Sequence, residues 1–412
     1  MRLSRMFGAA VVAMSLTVTP AVAAQAPTYL FHQQTLWRQY TTIDVATGAR
    51  QTTCFRLPAV VRTKRNVLLA FAERRNRSCA DHGVFDVVMR RSADHGRTWE
   101  PNRVIVPSRP GEVLQGHATV VADLADLADD AQEGKVFLFT TSEPAVDQTM
   151  PRRPALRVSS DDGRTWGPPT DLSDVVKAPA GAGDWFATGP GHGIQKTREP
   201  HKGRLVVPVY FATATHQSIR LIYSDDHGSS WKTGATATYD KTVLKLSEQT
   251  LVEREDGGIL VIARNGAVPE FTSLTGMASG VSRDGGGTFD GDFRADTSIT
   301  APPTHPALLR QRWGGSSYSR ILLSAPATQK TDNNARGMSV RSSYDDGVTW
   351  RDDNGTVDAK GVLIDSDHAG YSDMTVIGNG AIGVLYEAGP RRFREEIRWN
   401  WFWESAIGLP ER

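Results

Sequence analysis

SADHGRTW, residues 92–99, is a polar turn that ends in a tryptophan. Near copies begin at Ser159 (SSDDGRTW), Ser224 (SDDHGSSW), Ser282 (SRDGGGTF) and Ser343 (SYDDGVTW). The starts are 67, 65, 58 and 61 residues apart, the spacing of radially repeated units joined by variable loops. Between the boxes lie short β-rich runs such as RNVLLAFAE, KVFLFTT, GRLVVPVYF, GGILVIAR and SRILLSAP, bounded by Gly, Asp, Asn and Pro. Each box follows a strand. Its Asp and Gly suit a tight turn, its Ser and Asp can bond local amides, and its aromatic residue can plug the gap between neighbouring sheets. A calcium loop would need a bidentate Glu at a fixed offset, and none follows. Five boxed units and one without a box predict an all-β, six-bladed β-propeller of four-stranded antiparallel sheets. A strand near TYLFHQQ (28–34) is expected to close the ring against EEIRWNWFW (395–403).

The 412 residues are 39% hydrophobic and 23% charged, enough for a substantial core. The net charge of +1 offers no basic field for nucleic acid. The chain starts with a basic MRLSR and a short apolar run, and Ala21 and Ala23 precede Ala24. This pattern predicts a secretory signal over 1–24, a mature single domain over 25–412 and a secreted product. No other apolar run is long enough to span a membrane. In an exported chain the two cysteines, Cys54 and Cys79, are expected to form a bridge.

A propeller alone does not define a function. The residues outside the boxes do more: CFRLPAVV with Arg56, AFAERRNRSCADHG with Glu73 and Asp81, LSEQTLVE with Glu248, LVIARNG with Arg264, NNARGMSV with Arg336, HAGYSDMTV with Tyr371 and GVLYEAG with Glu387. With the boxes, the Phe55-Arg56-Leu57-Pro58 opening and GPGHGIQ (189–195), the chain resembles the sialidase (neuraminidase) family of bacteria and animals over nearly all of its mature length.

The resemblance implies an exo-α-sialidase that needs no cofactor. It would act as a monomer on sialylated glycans, glycoproteins or glycolipids. The physical chemistry agrees. Sialic acid carries a carboxylate on its anomeric carbon, and arginine forks bind carboxylates with bidentate, charge-assisted bonds. Arg56, Arg264 and Arg336 match the family's arginine clamp; Arg341, five residues after Arg336, is the competitor for the third place. Beside a substrate carboxylate a neutral phenol is a better nucleophile than an anion, so the resemblance makes Tyr371 the nucleophile and Glu248 its base. Asp81 matches the acid/base, with Asp86 as competitor. Glu387 resembles the carboxylate that holds the first arginine, and Glu73 is expected to support the pocket floor. A Cys54–Cys79 bridge would give the Asp81 loop a rigid mount. His117, His192, His368 and Trp185 are candidates for the rim. No residues have metal-ligand spacing.

Two enzymatic alternatives share this catalytic set: a trans-sialidase, and a hydrolase for deaminated sialic acid. A non-catalytic glycan-binding propeller would not need the tyrosine and its base. A hydrolase of neutral polysaccharide would have no use for three arginines.

Overall fold

The box turn is built from its own side chains. In the first copy Ser92 Oγ donates to Asp94 Oδ1 at 2.8 Å and accepts from Gly96 N at 2.9 Å. Asp94 then accepts Thr98 N at 2.9 Å and Thr98 Oγ1 at 2.6 Å. The same four bonds recur around Asp161, Asp226, Asp284 and Asp345. The chain reverses through two successive left-handed residues, such as His227 (φ 54°) and Gly228 (φ 75°). A Cβ at Gly228 would also overlap the Phe137 ring, so only glycine fits there. The closing aromatics pack on a neighbouring sheet: Trp99 on Trp399, Trp166 on Phe71 and Trp231 on Phe139, edge to face at 5.4, 5.9 and 4.8 Å.

The computed structural model describes residues 31–108, 112–124, 134–144, 152–176, 185–268, 273–312, 319–328, 335–352 and 360–408. The expected signal (1–24) lies outside them. The architecture is a β-propeller of antiparallel sheets around an axial cavity of about 360 Å³. Among the described residues five apolar clusters fill the spaces between neighbouring sheets, and a sixth, around Leu322, Met374 and Val384, lies within strands of one sheet. No helix among the described residues is long and apolar enough to cross a membrane.

The expectation of six separate four-stranded sheets is corrected. Among the described residues hydrogen bonding defines five sheets, one of seven strands, three of five and one of four. The cause is the 15-residue strand Val362–Val376. Its first part pairs with Arg336–Ser343 and its second part with Ile382–Gly389, so two strand groups merge into one sheet. Extra short strands, such as Tyr40–Ile43 and Gly191–His192, extend others. The expected closure is present: His32–Arg38 pairs antiparallel with Glu396–Phe402, which leaves no free edge at that join.

Candidate active site

Several of the site residues sit where strand register breaks. A bulge re-aims side chains out of the ordinary alternation. Register slips between Arg56 and Ala59, across Leu57 (φ 54°) and Pro58, whose ring nitrogen cannot join the ladder. It slips again between Leu246 and Gln249, around Glu248, and between Ala369 and Ser372, around Tyr371. A fourth slip carries His117 (φ 53°).

Tyr371 and Glu248 meet across the ring. The phenol donates to Glu248 Oε1 at 2.6 Å and accepts from Arg264 Nη1 at 2.7 Å. Arg264 Nη1 also lies 3.4 Å from each Glu248 oxygen, and Ser247 Oγ donates to Oε2 at 2.7 Å. Burial works to raise the Glu248 pKa, but Arg264, the phenol and Ser247 outweigh it and bring it down to about 2. Burial, reinforced by Glu248, pushes the Tyr371 phenol well above the usual range against the pull of Arg264. At rest the proton therefore sits on the phenol, and Glu248 is an anion that accepts its hydrogen bond.

Arg56 is 4% exposed. Its Nε donates to Glu387 Oε1 at 2.5 Å, its guanidinium carbon lies 5.6 Å from the Tyr371 ring centre, and Nη1 is 3.6 Å from Asp81 Oδ1. Glu387 is fully buried and also accepts Leu57 N at 3.0 Å and Tyr371 N at 3.2 Å. A Cβ at residue 370 would collide with Glu387 Oε2, which explains the glycine of Gly-Tyr-Ser.

Asp81 is the open member, with 68% of its side chain exposed. Burial of the rest works to raise its pKa, but Arg75, then Arg56 and Arg394, hold it below the usual carboxylate range. Asp86 is no competitor: it is 3% exposed and already accepts Arg74 Nε, Asn76 Nδ2 and Ser108 N. Cys54 and Cys79 form a disulfide, Cα atoms 5.3 Å apart, between the Arg56 strand and the Asp81 loop. Glu73 lies opposite Arg56 in the adjacent strand, fully buried, and accepts Arg75 Nε at 3.0 Å and His117 N at 2.8 Å.

Arg336 begins the strand Arg336–Ser343 and pairs in register with His368, three residues before Tyr371. Arg341 is fully buried and donates to the carbonyls of Ala325, Thr300 and Pro326, so it is a structural arginine. Of the rim candidates, His117 and His368 lie in or beside these bulges, and the partly buried His192 is paired with Asp373. Only the backbone of Trp185 is described, in the strand Trp185–Ala187. Among the described residues no group of three or more His, Cys, Asp or Glu could hold a metal.

Sequence reasoning missed Arg75, Arg394, Tyr210 and His305. Arg75 Nη1 donates to Asp81 Oδ1 at 2.5 Å, and Arg394 adds charge beside Asp81 and Arg56. Tyr210, with Glu248, Arg264, Ser247, Gln217, Lys245 and Gly266, lines a side cavity of about 190 Å³. The position of Arg75 two residues after Glu73, in a strand leading to the Asp81 loop, was a usable signal; Arg394 stands in an arginine-rich run that marks none of its members.

Box turns, sheets around an axis and a cluster of guanidinium, phenol and carboxylate groups define an Asp-box β-propeller with a site for an anionic ligand. Residues 66–384 match the family model described as BNR repeat-like domain. The chain belongs to the sialidase family with BNR (Asp-box) repeats. It is 31% identical over 355 residues to an exo-alpha-sialidase of Aspergillus fumigatus, covering 81% of this chain and 78% of that one. It is 28% identical over 367 residues to a sialidase of Micromonospora viridifaciens, covering 85% of this chain and 52% of the relative. A Bacteroides fragilis sialidase is 27% identical over 361 residues, with 83% and 61% covered, so the chain spans little more than half the length of these two bacterial relatives. The solved structure of the Hadza microbial sialidase Hz136 shares the fold, with a TM-score of 0.69, 24% identity, and 86% of this chain and 66% of that one covered.

Proposed function

We propose that the protein is a retaining exo-α-sialidase that releases terminal α-linked sialic acid through a covalent tyrosyl–sialosyl intermediate. The observation that carries this reading is the Tyr371 phenol, held between Glu248 at 2.6 Å and Arg264 at 2.7 Å. A phenol with an ionised base on one side and a cation on the other is an activated nucleophile.

Arg56, Arg264 and Arg336 would receive the substrate carboxylate. Its arrival draws Arg264 away from Glu248, which strengthens the base as the reaction begins. Tyr371 then attacks the anomeric carbon, its proton passes to Glu248, and Asp81 protonates the departing glycosidic oxygen. In the second step Asp81 takes a proton from water, the water oxygen attacks the anomeric carbon, and Tyr371 leaves with its proton returned by Glu248. Asp81 must be protonated to act first. Arg56 and Arg75 oppose this in the free protein, and the substrate carboxylate offsets Arg56 once bound. The exposure of Asp81 suits a group that must meet the departing sugar and then water.

The same reading includes export through the 1–24 leader, which N-terminal sequencing of secreted protein tests. Proton NMR of sialyllactose isomers tests the reaction: release of the α-anomer first is expected. First release of the β-anomer, or no release, contradicts the reading. A sialylated product made with lactose as acceptor would mark transfer in place of hydrolysis.

A further inference from the structure

The GPGHGIQ segment lies outside the chemistry above, yet it reaches the strand of Tyr371. His192 Nδ1 is 2.5 Å from Asp373 Oδ1. Asp373 is 1% exposed and stands two residues after Tyr371, just past the bulge that carries the phenol. Its Oδ2 accepts Val60 N at 2.7 Å, and its Oδ1 also accepts Met374 N at 3.0 Å. Val60 belongs to Arg50–Arg62, the strand of Arg56. His192 belongs to Gly191–His192, which pairs with Glu112–Ala122 in a third sheet. One buried carboxylate, two residues from Tyr371 in its strand, therefore ties three sheets together.

The neighbouring residues fit the same purpose. His305 packs its ring 5.8 Å from the Tyr371 ring, is 1% exposed, and has no hydrogen-bond partner on either nitrogen. A Cβ at Gly191 would lie 2.8 Å from His305 Nε2, so the glycine before His192 is what lets this ring sit behind the tyrosine. Burial lowers the His305 pKa to about 4 and keeps the ring neutral. Burial also works against charge on His192, but Asp373 outweighs it and raises its pKa, which favours an ion pair.

Glu387 already joins Arg56 Nε, Leu57 N and Tyr371 N. Asp373, in the strand of Tyr371 itself, is a second carboxylate that joins the same two strands. We propose that Asp373 and His192 are positioning residues for the nucleophile: they fix the Tyr371 strand against the Arg56 strand and so set the distance from the phenol to the bound carboxylate. This rests on the reading of Tyr371 as nucleophile. It goes beyond that reading by assigning work to residues that touch neither substrate nor reacting atoms. Displacements near 1 Å can cost about 100-fold in rate, so the effect should be readable.

The test is kinetic, on the full chain, with a fluorogenic sialoside. Wild-type turnover and its loss in Tyr371→Phe are measured first; failure of either sinks the functional reading, whatever the other variants do. Asp373→Asn can offer only one acceptor oxygen where two are used, and should lower kcat about 10- to 100-fold with KM within about twofold. His192→Asn places its amide nitrogen where Nδ1 was and should retain several times the kcat of His192→Gln, which cannot. A purely structural role would lower the melting temperature and leave kcat and KM per folded molecule unchanged, which overturns the proposal. So would equal kcat in the Asn and Gln variants of His192, the comparison that decides the matter if Asp373→Asn does not fold.

Discussion

The Tyr371 phenol donates to Glu248 at 2.6 Å although 123 residues separate them in the chain. The two strands belong to different sheets and meet only because the sheets surround a common axis. Arg264 Nη1 completes the contact from the strand next to that of Glu248. Phenol, carboxylate and cation are thus in contact before any ligand arrives.

On the proposed roles, Tyr371→Phe removes the attacking oxygen, and Glu248→Gln removes the acceptor of its proton. Each should lower kcat on a fluorogenic sialoside by about 100- to 10,000-fold, the usual weight of such groups. Circular dichroism melts should show both variants folded at assay temperature. Turnover near the wild-type rate in either would remove that residue from its role.

Asp81 is held below the usual carboxylate range by Arg75, Arg56 and Arg394 against the opposing effect of burial. Arg394→Gln deletes one of these positive charges without touching the buried Arg75–Glu73 pair. A carboxyl relieved of a cation keeps its proton to higher pH. The basic limb of kcat/KM should therefore move to higher pH, most visibly on substrates with poor leaving groups. An unmoved or acid-shifted limb would count against Asp81 as the acid, as would Asp81→Ala losing equal activity on good and poor leaving groups.

Glu387→Gln keeps the shape of the group that takes three N–H donors and loses its charge. Arg56 is left buried without its carboxylate, a change that costs roughly 3–5 kcal/mol. A lower melting temperature and a raised KM are expected, because Arg56 loses its anchor. An unchanged melting temperature would show that the pair does not hold Arg56.

The box turn was legible because its bonds are local. Ser, Asp, Gly and Thr satisfy one another within eight residues, so five copies announced five turns. The ring closure was legible for a different reason: a ring of sheets shields its edges only if the two ends of the chain pair, and both ends offer a β-rich run. The sheet count was not legible, because nothing in 362–376 marks where one strand ceases to pair with one neighbour and begins with another. Arg56, Glu248, Tyr371 and Glu387 were read through short motifs, whereas the bulges that aim them appear only once strands are in register. Asp373–His192 and Arg394 depend wholly on tertiary approach. That Arg341 is fully buried and bonded to backbone carbonyls was likewise visible only in the fold.

If the boxes are structural, their loss should affect stability alone. Asp345→Ala deletes the acceptor of Ser343 Oγ, Thr349 N and Thr349 Oγ1. Unfolding should become easier by roughly 1–3 kcal/mol, with kcat and KM unchanged at temperatures where the protein stays folded. A selective loss of kcat would give the box a part in catalysis.

The most direct measurement is to trap the intermediate. A sialic acid fluorinated at carbons 2 and 3 slows turnover of the glycosyl-enzyme, and peptide mass spectrometry then locates the adduct. The account predicts one sugar per chain, attached to the peptide that carries Tyr371 and absent from Tyr371→Phe. An adduct on Glu248 or Asp81, or turnover of natural substrate that releases the β-anomer first with no adduct formed, would contradict it.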